Sequence, residues 1–243
     1  NLSGADLSGS NMTGANLTGA DLTQTTLYGV NLTDADLVNS QLVEATLTTA
    51  NLTTADLSGS NLIGVSAASA NMTGADLTGA DLTDGNLSNS TLSSAKLRKT
   101  DLTRANLNGV TATSANLTFV TAQGANLSNS NLTSATLTGG DFNGSDMVLA
   151  HFDNATIIHT DFSSTLGNYT TWTSAILTRP TFDDSDLTGA NFTSSVITEF
   201  TASGATLDNV NFSKTNTGLK GADLNGASLT GANVSSIDLS EAK

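Results

Sequence analysis

The sequence predicts a repeat solenoid, a rod built from short sides of one kind, and three observations predict it. A large apolar residue recurs at nearly every fifth position, in one unbroken frame from Leu2 to Phe212 in which four centres are Ala and one is Gly. Five is the period of neither a helix nor a strand, and a disordered chain has no reason to hold such a register. The position two before this centre is small, and it grows where the centre shrinks: Val65 precedes Ala67, Val110 precedes Ala112, Val120 precedes Ala122 and Phe200 precedes Ala202. Two positions that compensate in volume share one close-packed interior. Aromatic centres also fall twenty apart, as Phe142, Phe162 and Phe182, and as Phe152, Trp172, Phe192 and Phe212.

The unit is a small residue, then Asn or Asp, then the large centre, then Thr or Ser. It resembles the pentapeptide-repeat family, whose unit is A-(N/D)-L-x-x, and the resemblance covers essentially the whole chain. It implies an all-β fold, a right-handed four-sided parallel β-helix. Each pentapeptide would form one side, four would form a coil of 20 residues, and the centre and the small residue would point inward. About twelve such coils would form one domain over residues 1–243, a rod roughly 58 Å long at the usual strand spacing. A two-residue register slip falls at 213–218, within "SKTNTG", before the frame resumes at Leu219.

Composition bounds the rest. There are 22 acids against 8 bases, a formal charge of -14, and no Cys, so disulfides and thiolate metal sites are excluded. No apolar run is long enough for a membrane-spanning helix, which argues against membrane insertion. The chain starts inside a repeat with neither signal peptide nor initiator Met, which reads as a processed product or fragment. No cap is recognisable at either end, so end-to-end stacking on other copies is expected.

The outward residues sort by face. One face presents Asn11, Asn31, Asn51 and Asn71 before the centre and Thr13, Thr33, Thr53 and Thr73 after it. Over seven coils its only formal charge is Asp34, so it is a flat neutral array. It is either a self-stacking ladder or a contact surface for another rod, a carbohydrate or ice. Asn11, Asn31, Asn51 and Asn71 also head glycosylation sequons, which the repeat generates automatically. A second face stacks Asp81 on Asp101 and Asp141 on Asp161; a third stacks Asp36, Asp56 and Asp76 and ends at Lys96. These acid ladders read as solvated faces, weak cation sites or a mimic of DNA phosphates, the last being how certain members of the family inhibit DNA gyrase. The basic cluster Lys96, Arg98, Lys99 and Arg104 reads as local neutralisation or a docking patch. It is too small for a nucleic-acid groove, and the overall charge opposes one.

Catalytic signals are missing. There is no phosphate-cradling Gly motif, no cofactor motif and no metal-ligand cluster, and a leucine-filled convex rod offers no pocket. His151 and Asp153 flank Phe152 and could pair across it. Gly167 empties one centre, and a bulge that swings Leu166 inward is expected there. Pro180 is expected where no ladder N–H is needed.

These readings make the chain a non-enzymatic structural or interaction rod. Other copies of itself are the expected partner, in a filament or surface layer at an extracellular site, with other proteins as further partners. A DNA-mimicking topoisomerase inhibitor and an ice- or glycan-binding face are the alternatives.

Overall fold

The structure, a computed structural model, describes residues 1–216, 219–235 and 237–243. The chain folds as a right-handed, four-sided β-helix. Single-residue parallel bridges join each coil to the next at an offset of 20, from Asp6 with Thr26 to Val196 with Asn216. From Thr201 with Asp223 onward the offset is 22. The two added residues are therefore absorbed between 216 and 223, and Thr217 and Gly218, part of the loop expected there, lie outside the described residues.

Each five-residue side accounts for its backbone amides. The centre donates to the next coil, as Leu32 N–H to Asn51 C=O at 2.7 Å, and so does the second residue after it, Asp34 N–H to Thr53 C=O at 3.0 Å. The residue before the centre donates to the previous coil, as Asn31 N–H to Ser10 C=O at 2.9 Å. The next small residue closes the corner, Ala35 N–H to Leu32 C=O at 3.0 Å. That leaves the amide just after the centre. The Asn or Asp side chain two residues earlier takes it, as Thr33 N–H donates to Asn31 Oδ1 at 3.1 Å. An unpaired amide is costly even when half-buried, so the preference for Asn or Asp before the centre follows from the coil. The second residue of each corner has positive φ, the hallmark of a type II turn.

Three consecutive coils depart from this corner. There the residue before the centre is β-branched instead of Asn or Asp. The chain extends into strands β1 (Thr156–Ile158), β2 (Ile176–Thr178) and β3 (Val196–Thr198). They pair in parallel in the order β1-β2-β3, with Ile158 beside Thr178 and Thr178 beside Thr198. The corner residues that follow are Thr160, Pro180 and Phe200. Pro180 thus sits where strand pairing replaces the usual turn and its missing N–H is not needed.

The interior is one continuous apolar cluster. Leucines fill it up to Leu137, and aromatics fill much of it from Phe142 on. Phe142, Phe162 and Phe182 stack at 5.3 and 5.0 Å between centroids. On the opposite side Phe152, Trp172, Phe192 and Phe212 stack at 4.2, 5.6 and 5.1 Å. The two columns meet edge to face, Trp172 on Phe182 at 5.5 Å, the arrangement that ring quadrupoles favour. Trp172 Nε1 donates to Thr170 Oγ1 at 2.8 Å, so its buried N–H is satisfied. Phe200 lies 5.4 Å from Phe182 and fills the space that Ala202 leaves.

The expected inward swing of Leu166 is corrected: its side chain is 52% exposed. Gly167 needs no filler from its own side. A Cβ there would come within 2.7 Å of Leu187 Cδ2 and 3.8 Å of Met147 Cε, so the neighbouring coils already occupy the space.

Candidate interaction faces

The four sides give four outer faces, here A to D in chain order, with centres Leu22, Leu27, Leu32 and Leu37 as their second-coil members. Face C carries the Asn/Thr array. Asn31 Oδ1 accepts from Thr33 N–H at 3.1 Å and Thr33 Oγ1 at 2.7 Å, and Asn51 and Asn71 repeat both bonds with Thr53 and Thr73. Asn31 Nδ2 donates back to Thr13 Oγ1 at 3.0 Å, Asn51 Nδ2 to Thr33 at 2.9 Å and Asn71 Nδ2 to Thr53 at 3.0 Å. Asn11 accepts from Thr13 in the same way. The array is thus a hydrogen-bonded network that satisfies much of its own polarity. A glycan on Asn31, Asn51 or Asn71 would sit on a nitrogen that already donates within the ladder.

Face A carries Asp81 bridged to Asp101, and Asp141 bridged to Asp161, with Thr121 standing between the pairs. Each of these aspartates accepts a backbone amide two residues on: Thr83, Thr103, Asn143 and Ser163 respectively. Gln123 Nε2 also donates to Asp141 at 2.6 Å. The run Asp36, Asp56, Asp76 on face D ends at Lys96, whose Nζ lies 3.0 Å from Asp76 Oδ2. Burial pushes the Asp76 carboxyl up, but hydrogen bonds from Thr78 and Lys96 outweigh this and hold it below its ordinary value. Arg104 grips Asp84 with two bonds of 2.7 Å, and these hold that carboxyl below its ordinary value too.

Two of the four clustered cations therefore neutralise acids, and two do not. Arg98 and Lys99 form no ion pair among the described residues. Arg98 instead lies over the ring of Phe119, Cζ to centroid 5.8 Å. Phe119 is half-exposed and stands at a corner with φ of 58°. Its ring lies over Gly139, where an added Cβ would come within 2.6 Å of the ring edge. Along face D beyond Phe119, β1 to β3 turn Ile158, Ile176 and Val196 outward, and Ile176 is 47% exposed. A smaller patch on face B joins Leu149, Leu166 and Tyr169, with the Tyr169 ring over Gly189. Phe119, Leu149 and Ile176 escape a reading by local motif, and sorting outward apolar residues by the twenty-residue period exposes them.

His151 and Asp153 do not bond each other; both reach Thr171 Oγ1, at 2.9 Å each. The expectation of a rod without a pocket is corrected. A cleft of about 440 Å³ opens where the coil offset changes, lined by Arg179, Glu199, Lys220 and Asp223 over Pro180 and Phe200. Arg179 pairs there with Glu199 at 2.7 Å and Lys220 with Glu241 at 3.5 Å. Among the described residues no cluster of His, Cys, Asp or Glu could hold a metal ion, and no helix is long and apolar enough to cross a membrane.

The family described as pentapeptide repeats matches in eight copies, over 1–39, 31–66, 70–109, 113–147, 185–216 and 215–243. The gap at 148–184 holds Gly167, Trp172 and the strands β1 and β2. Among solved structures, HetL is similar, a pentapeptide repeat protein involved in heterocyst differentiation regulation from the cyanobacterium Nostoc. It is 28% identical over all of this chain and 88% of its own, with a TM-score of 0.65. A pentapeptide repeat protein of the Arabidopsis thaliana thylakoid lumen is 29% identical over 49% of this chain and 69% of its own, with a TM-score of 0.29. QnrB1, a plasmid-mediated fluoroquinolone resistance protein, is 18% identical over 98% and 89%, with a TM-score of 0.32. No curated protein sequence matches. By its unit, its coil and the eight matched repeats, the chain belongs to the pentapeptide-repeat family.

Proposed function

We propose that the chain is a non-enzymatic protein-binding rod that meets its partner through sparse outward-facing apolar patches. One observation carries this reading. Phe119, Leu149 and Tyr169 are large, half-exposed side chains at corners with φ of 58°, 61° and 59°. Left-handed backbone costs a bulky residue about 1–2 kcal/mol, and glycine fills many equivalent corners at no such cost. Most of the other corners hold Gly or a polar residue, so a large exposed apolar side chain there points to use of that side chain.

The similarity over the whole chain to HetL, a protein involved in regulation, fits a rod without catalytic chemistry. Face C is the weaker candidate surface, because its Asn and Thr groups already bond one another; this removes one support for face-to-face filament assembly and for ice or glycan binding. The acid ladders are weak mimics of a phosphate run, because Thr121 and Lys96 interrupt them.

Photo-cross-linking in the source cell tests the reading. A photoreactive residue at position 119, 169 or 176 is expected to trap a discrete partner protein, and one at position 33 or 53 is not. Cross-links confined to positions 33 and 53, or only to further copies of the chain, would overturn it.

A further inference from the structure

We propose that face D between Lys96 and Val196 docks an acidic segment of the partner that also carries aliphatic side chains. Carboxylates would meet Arg98 and Lys99, and apolar groups would meet Phe119 and Ile176. This rests on the protein-binding reading above and names the partner's chemistry.

Charge carries the first half. The chain bears 22 acids against 8 bases. Yet the outward positions of face D from Lys96 through Glu199 hold Lys96, Arg98, Lys99, His159 and Arg179 against one carboxylate, Glu199. Lys96 is paired with Asp76 and Arg179 with Glu199, so the cations left for a partner are Arg98 and Lys99. On a rod of net charge -14 this strip is the place where an acidic segment meets attraction.

Shape and apolar character carry the second half. The Phe119 ring is held between the Arg98 guanidinium and Gly139, so it is an ordered platform. Beyond it the outward groups include Thr136, Thr138, Thr156, Ile158, Ile176 and Val196, with His159 and the paired Arg179 at the corners. β1 to β3 lie in register, which gives these groups a flat bed. Five coil steps separate Lys96 from Val196, about 24 Å at the usual strand spacing, the reach of about seven extended residues. Such a footprint is below that of a standard stable interface, so the contact is a weak, exchangeable one. A nucleic acid is the poorer occupant. Two free cations neutralise few phosphates, and the adjoining face A carries Asp101, Asp141 and Asp161.

Fluorescence anisotropy with the purified chain tests this directly. The probes are a labelled ten-residue peptide of alternating Asp and Val or Leu, the same peptide with Asn for Asp, and a labelled ten-residue oligothymidylate. The acidic peptide is expected to bind about tenfold tighter than its Asn counterpart. Arg98→Glu with Lys99→Glu is expected to erase that preference. Phe119→Ser or Ile176→Ser is expected to weaken both peptides about threefold or more, and Tyr169→Ser on face B to change neither. Circular dichroism verifies that each variant keeps the fold. Equal binding of the two peptides, binding by oligothymidylate in their place, or no peptide binding at all overturns the proposal. The protein-binding reading would survive that failure if the cross-links at 119, 169 or 176 appear.

Discussion

The coils up to Leu137 and the coils from Phe142 to Phe212 share one backbone plan and fill it differently. In the first group the centres are mostly Leu, and the fit has a flaw. A void of about 10 Å³ lies among Leu107, Ala112, Leu117 and Ser130, and the buried Ser130 hydroxyl beside it has no partner. In the second group aromatic columns stack on two opposite sides, Phe200 takes up the volume that the Ala202 centre leaves, and a Cβ on Gly167 would collide with Leu187 of the next coil. The lesson is that the coil does not specify a residue at the centre. It specifies the summed volume of both inward positions and of the coils next to them. Where aromatics use that volume, the corners change as well, and the exposed strip of β1 to β3 lies over those coils.

The comparison can be broken most severely at Trp172. Its replacement by Ala removes one ring from a column and two edge contacts, and costs about 3–5 kcal/mol. Thermal unfolding followed by circular dichroism should show a drop larger than for Leu117→Ala, which borders the existing void.

Next in size is the consensus substitution at the empty centre. Gly167→Leu restores the residue used along most of the rod, yet it should destabilise by about 1–3 kcal/mol through overpacking against Leu187 and Met147. A rise in stability on urea unfolding would show that a true vacancy exists there.

Acid should separate two neighbouring stretches within the leucine half. Asp84 is held below 3.8 by hydrogen bonds from Arg104. Asp76 is held below the same value despite its burial, by Thr78 and Lys96. A carboxyl with a depressed folded value adds stability above its unfolded value and loses it as pH falls through the folded one. Lowering the pH from 5 to 2.5 should therefore loosen amide protection around 76–104. The stretch 105–140 contains no charged residue and should hold. Equal loss in both stretches would show that the ion pairs are not the cause.

The smallest effect belongs to Ser130→Ala, which deletes an unpartnered buried hydroxyl beside the void. It should stay within about 0.5 kcal/mol of the parent or stabilise slightly on urea unfolding. A loss above 1 kcal/mol would mean that the hydroxyl is satisfied in solution.

Much of this fold is legible in the sequence because burial alone sets its period. The aromatic columns, the compensation at Val65 and Phe200 and the two-residue slip all follow from counting inward residues. What escaped depends on groups that face outward. Leu166 reads as core by its chemistry, and only the crowding of Leu187 and Met147 about Gly167 shows that nothing is missing inside. Strands β1 to β3 escaped because no residue type before the centre marks them: Thr156, Ile176 and Val196 stand in strands, while Thr26, Thr46, Ser66 and Thr136 stand at the same position in ordinary corners. Arg98 and Phe119 are 21 positions apart, one coil plus one residue, and no local motif joins them.

The claim that both inward positions share one volume is tested most directly at Phe200 and Ala202, by a double-mutant cycle on urea unfolding. Phe200→Ala alone should cost about 3–5 kcal/mol and Ala202→Phe alone about 1–3 kcal/mol. The double variant recreates the arrangement at 180 and 182, a small corner residue before a Phe centre. It should return to within about 1 kcal/mol of the parent, a coupling well above the usual scatter between independent sites. Costs that simply add in the double variant would contradict the account.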